Sequence, residues 1–211
     1  MEINDFSKVI LYIFLGGRFM RFYNRKMIIP FIFLFFLIVC IGYYFNLNFS
    51  KNNTYLSLKE AYELAFNQIF EEDVYLYTMT SADLEDVFDL KDGENGKRRF
   101  WNLDFNKLNT TDHYIFQIQD GEIVNQVQVP GLNVGEEKLI DSSEILIDSC
   151  EALKISKENY EINPGIEWAL GHHFMLNKYN GTTMISVTGF DQENNFRKIY
   201  INPVDLKHEL E

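Results

Sequence analysis

Two stretches of this chain, "EAYELAFNQ" (60–68) and "EALKISKEN" (151–159), repeat one pattern, and an internal repeat predicts a fold built from copies of one unit. In register, Ala61 matches Ala152, Leu64 matches Ile155, and the small Ala65 matches Ser156. Each stretch carries a single apolar stripe at helical spacing, so both are expected to be amphipathic helices. Ser57 stands before the first as an N-cap with Glu60 as its capping-box partner, and Asp148 and Glu151 take those places before the second.

Each helix is followed by a strand-like segment holding a tryptophan. "RRFWNLDF" places Trp101, Leu103 and Phe105 in period two, and "IEWALGHHFML" carries Trp168 and Leu170. "HYIFQIQDGEIVNQVQV" then turns at Asp120-Gly121, a strong hairpin signal, and "TMISVTGFDQENNFRKIYIN" turns through a longer polar loop. The predicted class is α+β: two α-β-β-β repeats, residues 57–130 and 143–203, with each helix packed on an antiparallel sheet. Trp101, Trp168, Ala61 and Ala152 are the expected repeat anchors. The acidic stretch "SADLEDVFDLKDGENGKR" reads as a surface loop inserted in the first copy.

A helix with this "EA...(A/S)" motif, a tryptophan strand and an Asp-Gly hairpin resembles the PepSY family of extracytoplasmic domains, over residues 57–130 and 143–203. The resemblance implies helices on antiparallel sheets in a tandem akin to beta-lactamase inhibitor protein. It also implies a membrane-tethered or secreted domain that restrains a peptidase or binds another protein. The family brings no catalytic residues with it.

Upstream, residues 27–45, "MIIPFIFLFFLIVCIGYYF", carry no charge and have the length of a bilayer-spanning helix. Arg21, Arg25 and Lys26 precede this run and Lys51 is the first cation after it, which orients residues 46–211 outside the cytoplasm. The flank "YYFNLNFSKNN" lacks a small-residue cleavage site, and Val39 before Cys40 does not suit a lipobox, so an uncleaved single-pass anchor is expected. That makes 1–26 a cytoplasmic tail and 46–56 a linker. Within the tail, "LGGRFM" fits a ribosome-binding stretch read as codons, which would start the chain at Met20; the alternative is a short interfacial helix, "VILYIFLGG".

Charge excludes one large class of partner. The 211 residues carry 19 basic and 31 acidic side chains, and residues 1–49 take five of the basic ones and two of the acidic. Residues 50–211 therefore hold 14 basic and 29 acidic side chains, a net of −15, which repels a phosphate backbone. No nucleic acid is expected as a partner.

Candidate sites are sparse. In a strand His172 and His173 point to opposite faces and cannot converge on one metal, and the other histidines are His113 and His208. Cys150 lies beside acids that disfavour a thiolate. Asp89, Asp92 and Glu94 lack the ligand spacing of a calcium loop. No catalytic, metal or cofactor site is expected. The predicted function is binding, with an envelope protein or a peptidase as partner and the membrane as support. The rival readings are a cell-envelope hydrolase, which lacks a nucleophile–base pair, and the sensory ectodomain of a signalling complex.

Overall fold

The computed structural model describes residues 54–83, 93–165 and 170–211, together with Val39. The chain divides into two compact units, 1–51 and 52–211, and the second contains all the elements that follow.

Helix α1 (Leu58–Phe66) starts where the sequence predicts. Ser57 accepts from the Glu60 N–H while the Glu60 carboxylate accepts from the Ser57 N–H, which satisfies two of the helix's orphan donors. Helix α2 (Ser149–Tyr160) is capped by Asp148, whose carboxylate accepts from the Ser149 N–H. Both helices press small residues inward: Ala61 and Ala65 in α1, and Ala152 and Ser156 in α2, are fully buried. Ser156 satisfies its hydroxyl on the Ala152 carbonyl one turn back, so the polar atom is buried with a partner. α1 lies against β2 and β3, and α2 against β6.

The strands are β1 (Val74–Ser81), β2 (Phe100–Lys107), β3 (Asp112–Gln119), β4 (Glu122–Pro130), β5 (His173–Tyr179), β6 (Thr182–Phe190), β7 (Phe196–Ile201) and β8 (His208–Leu210). They form one antiparallel sheet in the order β4-β3-β2-β1-β5-β6-β7-β8. This corrects the expected pair of α-β-β-β repeats on sheets of their own. Each helix is followed by four strands, and the first strands of the two halves, β1 and β5, pair with each other at Met79–Leu176 and Thr80–Met175. Below that short contact β1 turns aside to Ile140, which exchanges both backbone hydrogen bonds with Leu76. A β-bulge at Tyr77 accompanies this departure.

Two further expectations change. "VYLYTMTS" is a strand ahead of the tryptophan segment, so Trp101 lies on the second strand of its half and not on the first. The predicted acidic loop also does not stay at the surface throughout, because Gly93, Gly96 and Arg98 at its end are buried. No helix among the described residues is long and apolar enough to cross a membrane. The anchor expected at 27–45, the tail and the alternative start at Met20 lie outside the described residues.

Strand alternation sorts the sheet into two faces. One transverse row, Phe116, Leu103, Met79, Leu176, Ile185 and Ile201, faces the helices and is buried throughout. It belongs to one continuous core that includes the buried faces of both helices. Fully burying one such side chain is worth roughly 1.5–3 kcal/mol, and this shared apolar layer is what makes the two halves one body.

Candidate functional site

The face opposite the helices carries a different row. Asn125, Gln117, Asn102, Thr80, Met175, Ser186, Tyr200 and Glu209 lie side by side, one from each strand in spatial order. Only the last is charged, in a protein of net charge −12. Asn125 and Glu209 are exposed, Ser186 is buried, and the rest are half-buried. Part of the row is tied together: Asn125 Nδ2 donates to Gln117 Oε1 at 3.0 Å, and Gln117 Nε2 donates to Asn102 Oδ1 at 3.2 Å. Amides held in register this way offer their remaining donors and acceptors in fixed directions.

At one end of this face the connection after β4 closes over His113. Its ring bonds the Asp104 carboxylate through Nδ1 at 2.8 Å and the Leu132 carbonyl through Nε2 at 2.9 Å, with Tyr77 edge-on to it. Burial disfavours the imidazolium, but the Leu132 carbonyl and Asp104 outweigh it, so the His113 pKa is raised.

The β5–β8 side of the sheet holds two adjoining depressions that share Met184 and Glu209. One, of about 300 Å³, is lined by Tyr179, Met184, Tyr200, Glu209, Leu210 and Glu211. The other, of about 630 Å³, adds Asn202, Asp205, Leu206, Lys207 and His208. β8 is pinned from the helix side, where Tyr160 Oη meets His208 Nδ1 at 2.7 Å.

The two histidines part at the start of β5, where His173 is the first residue of the strand and His172 lies just ahead of it. His172 is fully buried beside the backbones of Gly93 and Ile162, and burial depresses its pKa to about 4. His173 turns the other way, placing Nε2 3.3 Å from Asp83 Oδ1. The main anchor at this junction is a residue the sequence reading passed over, Arg98. Its fully buried guanidinium donates to the Leu170, His172 and Ala82 carbonyls and to Asp83 at 2.7 Å. Burial alone would raise the Asp83 pKa, yet His173 and Arg98 hold it at about 2. An arginine at the end of a predicted loop gave no signal, because its carbonyl partners are set by tertiary approach.

Trp101 is also fully buried, with Nε1 donating to the Leu56 carbonyl at 3.1 Å and its ring packed near Phe174. It serves the core. Trp168, Asp89 and Asp92 lie outside the described residues. Glu94 is exposed, and its carbonyl accepts from Lys157. Burial and the neighbouring Asp148 raise the Cys150 pKa, which keeps the thiol protonated. Among the described residues no group of three His, Cys, Asp or Glu side chains is placed to hold a metal.

Compared with known proteins, the chain matches no family model and no curated protein. Among solved structures it is similar to a candidate lipoprotein from Clostridium difficile 630, with a TM-score of 0.54 at 11% identity. The match covers 77% of this chain and 98% of that one, so the two share a fold.

Proposed function

We propose that this chain is an extracytoplasmic binding domain that presents its uncovered sheet face to a protein partner and catalyses no reaction. The observation that carries the reading is the transverse row from Asn125 to Glu209. Seven uncharged side chains cross seven of the eight strands of a strongly acidic protein and are left on the side away from the helices. An acidic surface serves solubility, whereas a row of amides, hydroxyls, thioether and phenol suits adaptable hydrogen bonding with little desolvation cost.

The address rests on the shared fold, since the structural neighbour is a candidate lipoprotein and lipoproteins work outside the cytoplasm. The resemblance to PepSY domains suggests the partner's class, an envelope protein or a peptidase held in check. An extended segment lying across or alongside such a sheet is the physical form that restraint would take.

The test is retention of envelope proteins on the full chain in non-ionic detergent, at low and high salt, beside generic peptidase and esterase assays. One protein retained more weakly as salt rises, with no turnover, is the expected result; turnover abolished by changing a single acidic or histidine residue would replace binding with catalysis.

A further inference from the structure

The smaller depression on the β5–β8 side has a chemistry that names its ligand. We propose that it receives one lysine or arginine side chain from an extended segment of the partner, an inference that rests on the binding reading above.

Strand register builds the pocket. Met184 on β6 stands opposite Asn177, two pairs along from Tyr179 on β5, while Tyr200 on β7 stands opposite Ser186, the next residue of β6 on that face. The thioether therefore forms a floor between two phenol rings set diagonally across it. Such a floor suits an unbranched methylene chain. A volume near 300 Å³ lies at the small end for ligand pockets and suits one side chain better than a cofactor.

The walls select charge. Glu209 and Glu211 line the mouth, and Tyr200 Oη donates to Glu211 Oε2 at 2.8 Å, which fixes that carboxylate at the rim. Glu209 has no ion-pair partner among the described residues, and the nearby Lys207 pairs with Asp205 at 2.7 Å. One face of the Tyr200 ring already carries the protein's own cation, Lys198, whose Nζ lies 4.8 Å from the ring centroid. A site with a thioether floor, phenol walls and an unpaired carboxylate complements an alkylammonium or guanidinium. It disfavours an anion or a purely apolar group.

The probe is a capped Ser-Thr-Lys-Thr-Ser pentapeptide, with its norleucine counterpart as control. Both are titrated into the full chain in non-ionic detergent while the Met184 methyl resonance, identified through Met184→Leu, is followed by NMR. The lysine peptide is expected to shift that methyl group at least fivefold more strongly than the norleucine peptide, and Glu209→Gln, a conservative change at an exposed position, should remove most of the difference. Equal response to both peptides, no response, or full retention in Glu209→Gln overturns the proposal. The same variant separates this pocket from the wider reading. If the partner is retained equally by Glu209→Gln, the pocket proposal fails and the binding face stands; if the lysine peptide binds but no envelope protein does, the reverse holds.

Discussion

The backbone N–H of Leu58 donates to the hydroxyl of Ser149, 2.9 Å away and 91 residues along the chain. The Ser149 hydroxyl in turn donates to the Gly96 carbonyl at 2.6 Å, and its neighbour Asp148 accepts from the Lys59 N–H at 3.1 Å. The first turn of α1 is thus capped by side chains from the start of α2, and two positive helix ends meet around one carboxylate. Ser149→Ala leaves a buried N–H and a buried carbonyl unpaired. It should cost about 1–3 kcal/mol in denaturant unfolding, well above a surface serine. A loss near zero would mean that the two helix starts are not coupled.

Gly96 makes that junction close. Its φ is +85°, and a Cβ there would stand 2.4 Å from the Cα of Cys150. Gly181, at φ +75°, has nothing within 4 Å of its virtual Cβ. Gly181→Ala should therefore pay only the left-handed backbone penalty of about 1–2 kcal/mol, while Gly96→Ala adds a clash with backbone and should lose several kcal/mol or fail to fold. Equal melting temperatures for the two variants would refute the contact.

Stability should fall on mild acidification through His172. Burial lowers its folded-state pKa from 6.5 to about 4, so the unfolded chain takes up this proton first as pH drops. The stabilisation is complete above pH 6.5 and is lost progressively toward pH 4, on the order of 3 kcal/mol in all. His113, with a raised pKa, acts in the opposite sense and is most stabilising below pH 6.5. Urea unfolding at several pH values should show His172→Leu flattening the decline between pH 6.5 and 4. An unchanged slope would remove His172 as its source.

Arg98 is expected to be the most sensitive charged position. Replacing it with methionine strands three carbonyls and the Asp83 carboxylate at the β1–β5 junction, a loss of about 3–5 kcal/mol. Arg98→Lys should recover little, because one ammonium cannot reproduce a planar fork of donors. Thermal unfolding of the pair checks this, and full rescue by lysine would contradict it.

The sequence disclosed local features and concealed the joints between them. Ser57 and Asp148 announced both helix starts through capping chemistry, and Ala61 and Ala152 found their buried faces through periodicity. Asp120-Gly121 marked the β3–β4 turn. What misled was Trp101. It drew attention to β2 as the first strand, while "VYLYTMTS", with its mixed polar and apolar residues and its bulge at Tyr77, passed unread. The pairing of Met79 with Leu176 spans almost a hundred residues and has no local signature, so two separate sheets were expected where one exists. The row from Asn125 to Glu209 was illegible for the same reason: each member is an ordinary strand residue until the register aligns all eight.

The binding face is tested most directly by site-specific photo-crosslinking in intact cells. A photoreactive residue is placed at Gln117 or Thr188 on the uncovered face, and at Lys154 on the solvent side of α2, where the side chain is 73% exposed. Positions 117 and 188 are expected to capture the same protein, and position 154 is expected to capture none of it. Adducts from Lys154 with none from Gln117 or Thr188 would contradict the binding face.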